Sequence, residues 1–285
     1  MNEHDTRAVL VTGASKGIGE ACALRLHARG FLVFAGVRDP EDGRALVDRA
    51  GGDRMVPVRL DVVKADDIAA AARTVEDHTG QRGLAGLVNN AGIAVAGPLE
   101  FMPIDELRRQ LEVNVVGQVA VTQSLMPSLR RARGRIVFMS SVAGRSSLPF
   151  SGAYGASKFA IEAIADALRV ELADSGINVA VIEPGAIATP IWETSLARAD
   201  VMLESMPPKL EERYGPQLAI VRRFALSSAK HGAPASRAAA AVEHALTASR
   251  PRTRYVVGHD AKTRLLLERL LPTRLRDRLI RMRLR

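Results

Sequence analysis

Short apolar runs alternate with segments of helical period along most of this chain. Residues 8–12 (AVLVT) run into a glycine-rich stretch and then an amphipathic segment at 18–29, an order that predicts strand, turn and helix. Further buried strands are expected at 31–37, 55–60, 84–89, 135–140 and 177–183. Helical period covers 65–79 and 153–174, while 103–129 reads as one long helix or a broken pair. From 191 to 230 the alternation gives way to helix and loop, with breaks expected at Pro207, Pro208 and Pro216. A helix over 236–249 and a strand over 254–257 restore the pattern.

Short apolar strands separated by helices are expected to be parallel, because each return crossover has to be filled by a helix that covers a sheet face. The fold class is therefore α/β, with a doubly wound parallel sheet. No repeat or low-complexity linker divides the chain. One domain is expected over 1–258, with a helical substrate-lid insertion at about 190–235 and a basic amphipathic extension over 259–285.

The composition, 47% hydrophobic and 25% charged in 285 residues, is that of a packed protein and excludes disorder as the main state. No apolar run approaches the ~18 residues of a membrane helix. Glu3 and Asp5 stand where a signal peptide would carry basic residues, and Cys22 is a lone cysteine, so a cytoplasmic protein is expected. The formal charge of +9 is confined to 250–285, where twelve basic residues face three acidic ones. The first 249 residues carry 28 basic and 28 acidic groups, so no nucleic-acid partner is expected of the body. His4, His27, His78, His231, His244 and His259 show no paired ligand spacing, and no metal site is expected.

The first strand leads into Thr12-Gly13-Ala14-Ser15-Lys16-Gly17-Ile18-Gly19. Glycines at such a turn let the backbone approach a pyrophosphate, which then rests on the amides opening the next helix. Their position after the first strand predicts a Rossmann-type dinucleotide site, although the spacing is Gly-x3-Gly-x-Gly. At the end of the second strand Val37 occupies the place of the acid that would hold a ribose 2′-hydroxyl, and Arg38 follows it. A guanidinium suits a 2′-phosphate, and Lys16 could add a second charge, so NADP(H) is expected over NAD(H). Asp39 could serve a hydroxyl instead, and an arginine after a strand is often simply surface.

Tyr154 and Lys158 stand at i and i+4 on an expected helix, a phenol and an ammonium one turn apart. A nearby positive charge favours the phenolate, which would make the pair a tuned proton donor, although Tyr-x3-Lys also occurs by chance. Ser141 lies just past a strand, on the ligand-binding edge of a parallel sheet.

Together these residues resemble the short-chain dehydrogenase/reductase family from Val9 to about Val257, and more loosely its hydroxysteroid and retinol dehydrogenase-like branch. Thr12, Gly13, Gly17 and Gly19 match its cofactor loop, and Asn89-Asn90-Ala91-Gly92 its segment after the fourth strand. Asn114, Ser141, Tyr154 and Lys158 match its catalytic tetrad, and Pro184-Gly185 with Thr189 its nicotinamide-facing turn. The resemblance implies that Tyr154 donates a proton to a carbonyl oxygen that Ser141 also binds. It implies that Lys158 holds the nicotinamide ribose and lowers the Tyr154 pKa, and that Asn114 holds a water. Ser15, Lys16, Ile18, Arg38, Asp61, Val62, Asn90, Ala91, Gly92 and Ile187 complete the implied cofactor site. Asp61 and Val62 would meet the adenine, Asn90 its ribose region, and Ile187 with Thr189 the carboxamide.

Expected substrate-lining residues are Ser141, Tyr154, Phe150 and Trp192, with Ala94–Ala96, Leu148, Ile191, Met202, Leu203 and Met206 around them. They are mostly apolar and favour a steroid, retinoid or lipid-like carbonyl or alcohol, unless they serve only to pack the lid. The leucines and arginines of the extension fit either a peripheral membrane contact or packing on the body or on a partner subunit, and a homo-oligomer is expected. Readings from other classes are a non-catalytic dinucleotide sensor and an adaptor acting through the tail.

Overall fold

A computed structural model describes residues 7–204 and 206–284; Glu3, His4, Asp5 and Arg285 lie outside the described residues. The strands are β1 (Ala8–Thr12), β2 (Leu32–Val37), β3 (Met55–Arg59), β4 (Gly86–Asn89), β5 (Arg135–Met139), β6 (Asn178–Pro184) and β7 (Arg254–Val257). All pair in parallel, in the order β3-β2-β1-β4-β5-β6-β7. The order reverses direction after β1. A ligand-binding crevice of such a sheet lies there, outside the C-terminal strand ends.

The two-residue period of the strands divides the core. Val9, Val11, Val137 and Met139 point to one face, covered by α1 (Gly17–Ala28), α2 (Pro40–Ala50) and α9 (Ala235–Thr247). Leu10, Ile136 and Phe138 point to the other, covered by α3 (Ala65–Thr79), α5 (Gly117–Ala132) and α6 (Gly152–Glu171). With both faces buried, the strands need no polar alternation, which is why they read as continuous apolar runs.

Two departures from the sequence reading have clear causes. Helix α2 was not expected, because only Gly43 and Leu46 are buried along it and no apolar stripe marks it. Its signal is the cap: the Asp39 carboxylate accepts from the Glu41 amide at 3.0 Å, and Pro40 opens the helix. Pro216 does not break the chain but lies inside α8 (Lys209–His231), on an exposed position where water can satisfy the carbonyl it frees. The expected long helix over 103–129 is α4 (Ile104–Leu111) continued through a π-helical stretch (Glu112–Val116) into α5.

The segment expected to form a lid consists of α7 (Ile191–Glu204) and α8. Ser195 Oγ donates to the Ala94 carbonyl at 2.8 Å, Arg198 Nε pairs with Glu106 at 2.6 Å, and the Tyr214 hydroxyl donates to Glu100 at 2.8 Å. The extension forms α10 (His259–Leu270) and α11 (Thr273–Arg283), separated at Pro272. Leu266, Leu267, Leu270, Leu275, Leu279 and Met282 are exposed, so the body of the chain does not cover them.

Candidate active site

The glycine loop is shaped by contacts that exclude side chains. Gly13 and Gly17 have φ near +64°, and a Cβ at Gly19 would lie 2.1 Å from the Gly13 carbonyl oxygen. The loop is tied to the fourth strand's end. Thr12 Oγ1 accepts from the amides of Asn90 and Ala91, both at 2.9 Å, and Asn90 Nδ2 donates to the carbonyls of Thr12 and Gly13 at 3.0 and 3.1 Å. The Asn90 amide group therefore buttresses the loop, a role its sequence position did not reveal. Among the described residues, the N-cap Lys16 side chain makes no capping bond to α1, and the first amides of this helix fit a pyrophosphate.

Other expected cofactor residues lie on the turn after β6 and past the ends of β2 and β3. A Cβ on Gly17 would lie 3.2 Å from Thr189, which brings the loop beside the turn after β6. Arg38 and Lys16 are exposed, and Asp39 is engaged in capping α2. Asp61 Oδ1 accepts from the Val63 amide at 3.3 Å, and Val62 is buried against Gly117.

Ser141 follows β5. Its Oγ accepts from the Ala143 amide at 3.1 Å and donates to the Pro184 carbonyl at 3.3 Å. Lys158 is 4% exposed, with Nζ 5.6 Å from the Tyr154 ring centroid. Burial pushes the lysine down to about 8, against the opposing field of Glu162 one turn along α6. The Tyr154 phenol is shifted up, not down: burial dominates, and its hydrogen-bond partner Ser141 only partly offsets it. The direction is opposite to that expected from the Tyr-Lys spacing, because desolvation of the phenolate outweighs the Ser141 hydrogen bond.

Asn114 sits in the π-helical stretch, fully buried. Its Oδ1 accepts from the Ile93 amide at 2.8 Å, and its Nδ2 donates to the Ile93 carbonyl at 3.0 Å and to Ser157 Oγ at 3.1 Å. Ser157 Oγ in turn donates to the Tyr154 carbonyl at 2.7 Å, which links Asn114 to the tyrosine's own backbone. The sequence reading missed two companions. Gln110 accepts from the Val95 amide at 2.7 Å and donates to the Ile93 carbonyl at 2.9 Å, and Gln118 donates to the Ala91 carbonyl at 2.9 Å. Their signal is the polar series 110, 114 and 118, four residues apart on a buried helical face.

Behind Lys158 lies a second unexpected group. Glu183 is fully buried, and Arg254 pairs with it at 3.2 Å, with Glu162 at 3.0 Å and with Asp166 at 2.7 Å, while Arg145 reaches Glu183 at 3.2 Å. Burial, then the charge of Glu162, pushes the Glu183 carboxyl above its usual range against both arginines.

The rings expected to line a substrate both meet rings of α8. Phe150 meets the Tyr214 ring edge-on at 5.8 Å. Trp192 meets Phe224 at 6.0 Å and donates its indole N–H to the Ile187 carbonyl at 2.7 Å.

A doubly wound sheet with this loop and this Ser, Tyr and Lys grouping defines a nucleotide-binding oxidoreductase. The chain belongs to the short chain dehydrogenase family, whose sequence pattern matches residues 7–200. It is 40% identical over 279 residues to retinol dehydrogenase 16 of Mus musculus, covering 95% of this chain and 87% of that protein. It is 38% identical over 277 residues to the 17-beta-hydroxysteroid dehydrogenase type 6 of Homo sapiens, covering 94% and 86%. Among solved structures, a short chain dehydrogenase/reductase from Burkholderia phymatum in complex with NAD aligns with a TM-score of 0.80 at 26% identity, covering 95% of this chain and 94% of that one. A short chain dehydrogenase from Burkholderia cenocepacia in complex with NADP aligns with a TM-score of 0.74, also at 26% identity, covering 96% and 97%. Among the described residues, no helix is long and apolar enough to cross a membrane.

Proposed function

We propose that the chain is an NADP(H)-dependent oxidoreductase that interconverts an apolar carbonyl and its alcohol, a secondary alcohol for a ketone, of steroid, retinoid or lipid-like type. The observation that carries this reading is the convergence of Ser141, Tyr154 and Lys158 at the C-terminal edge of the sheet. A bound nicotinamide supplies or accepts the hydride. In the reducing direction Tyr154 donates the proton from its Oη to the substrate oxygen, and an upward-shifted phenol keeps that proton at neutral pH. Ser141 hydrogen-bonds the same oxygen as charge develops on it. Lys158 holds the ribose, and the Asn114–Ser157 link keeps the tyrosine's backbone in place.

The NADP(H) preference is supported by Arg38, exposed after β2 with no acid at Val37, and by the commitment of Asp39 to its helix cap. Solved relatives with either dinucleotide leave this point to Arg38. The substrate class is supported by the apolar lid and by relatives named for retinol and hydroxysteroid oxidation. The exposed leucines and arginines of α10 and α11 support a peripheral membrane contact or a partner subunit in a homo-oligomer. Following NADPH oxidation against a panel of apolar and polar carbonyls tests the reading. Turnover confined to polar carbonyls would overturn the substrate class.

A further inference from the structure

Helix α10 begins inside the site rather than behind it. A carboxylate in the first turn of a helix ordinarily serves that helix's own free amides. Asp260, the second residue of α10, reaches out of the helix instead: its Oδ2 accepts from the Ala186 amide, 74 positions away, at 2.7 Å. The chain is shaped for that contact. A Cβ at Gly185 would lie 2.1 Å from the same oxygen, and Gly258 turns into the helix with φ +108°, where a Cβ would lie 2.4 Å from Oδ1.

One turn further, Arg264 fastens the helix to the other side of the site. Its Nε donates to Ser146 Oγ at 3.0 Å, and its Nη2 donates to the Ser146 carbonyl. Ser146 is buried, and its amide donates to Val142 at 3.0 Å, so the guanidinium holds the loop that opens with Ser141. Asp260 and Arg264, four residues apart, lie on one helical face. That face spans from the turn after β6 to the loop after β5.

We propose that Asp260 is a positioning residue for the nicotinamide end of the dinucleotide, acting through the Gly185–Ala186 peptide, with Arg264 anchoring the helix that carries it. The inference rests on the reading of residues 184–189 as the nicotinamide-facing turn. Other contacts fix the path of this turn: the Gly185 amide donates to Val257 at 2.9 Å, and the Ala233 amide donates to the Ala186 carbonyl at 2.9 Å. Asp260 adds a charged acceptor that holds one peptide plane in one orientation, immediately before Ile187. The adenine half would be held past the ends of β2 and β3, at Arg38, Asp61 and Val62, on the far side of the sheet from β6 and β7, and should not sense the change.

The test measures dissociation constants of the full-length protein for two probes: the reduced dinucleotide that wild type binds, NADPH or NADH, and the matching adenine half, 2′,5′-ADP or AMP. Asp260→Ala should weaken the dinucleotide roughly tenfold and leave the adenine half within about twofold. Asp260→Asn keeps an acceptor oxygen for the Ala186 amide and should recover most of the loss. Thermal midpoints of all three proteins accompany the titrations, since a merely structural role would lower the midpoint without separating the probes. Unchanged dinucleotide affinity in Asp260→Ala, or an equal loss for both probes, overturns the inference and leaves the site reading intact. Failure of wild type to bind either dinucleotide overturns the site reading itself, and the inference with it.

Discussion

Lys158 Nζ donates a 2.7 Å hydrogen bond to the carbonyl oxygen of Met139, the last residue of β5 and two positions before Ser141. The ammonium is thus fixed to the strand that delivers the serine. It is also a buried charge, so the geometry has a stability consequence.

The Lys158 pKa falls from 10.5 to about 8 on burial. Between those values the unfolded chain holds a proton that the folded chain has released, so this group's contribution to stability rises as pH climbs from 8 to 10.5. Below the window the lysine is charged in both states and its burial is unfavourable. Lys158→Met should therefore be more stable than wild type at neutral pH, and the gap should narrow through the window. Urea midpoints of both proteins across that range check the sign, and parallel curves would contradict it. Glu162→Gln removes the field that raises this pKa and should move the onset to lower pH.

Gly19 faces the Gly13 carbonyl and the Asn90 side chain so closely that any Cβ must displace one of them. Gly19→Ala should cost about 1–3 kcal/mol by overpacking, and it should weaken dinucleotide binding by deforming the loop. Denaturant midpoints and fluorescence titration read the two effects separately. A fully stable variant with normal affinity would show that the loop tolerates what its contacts exclude.

Arg38 is the exposed cation at the end of β2 that the NADP(H) reading uses. A charge-assisted bond to a 2′-phosphate is worth roughly 1.5–3 kcal/mol, about a tenfold to hundredfold affinity ratio. Arg38→Asp should reverse the preference between NADPH and NADH. Equal affinity of wild type for the two would defeat the cofactor assignment while leaving the family untouched.

Helix α11 carries no buried residue, and deletion of 273–285 removes six arginines against one aspartate. The truncated protein should keep its thermal midpoint and dinucleotide affinity, because Asp260 and Arg264 lie outside the deletion. Binding to anionic vesicles should fall at low salt, with the difference fading as ions screen it. Equal co-sedimentation of both forms would exclude this segment as a membrane anchor, and a changed mass by light scattering would favour a subunit contact.

What the sequence made legible follows the range of the interactions involved. Strands β1 and β7 and helix α3 fall on the expected residues 8–12, 254–257 and 65–79, because apolar period and local caps are near-neighbour properties. The nearness of Tyr154 to Lys158 was readable because the two share a helix, and that of Ser141 to the sheet edge because it follows a strand by two residues. Helix α2 was hidden by its polar surface, although Asp39-Pro40 marked its start. The Arg254–Glu183 pair, the Asp260–Ala186 contact and the ring contacts of Phe150 and Trp192 join residues distant in sequence or depend on tertiary packing. No local pattern announces them. The upward shift of Tyr154 was likewise hidden, since burial is a property of the folded site.

The central claim is that the Tyr154 hydroxyl supplies the proton, and one variant isolates it. Tyr154→Phe keeps the ring over which Lys158 lies and removes only the acid. Single-turnover oxidation of NADPH with the best carbonyl of the panel, measured beside NADPH binding by the same protein, is the decisive measurement. The account predicts hydride transfer reduced by at least about a hundredfold with affinity for NADPH nearly unchanged. Substantial turnover by Tyr154→Phe would contradict it.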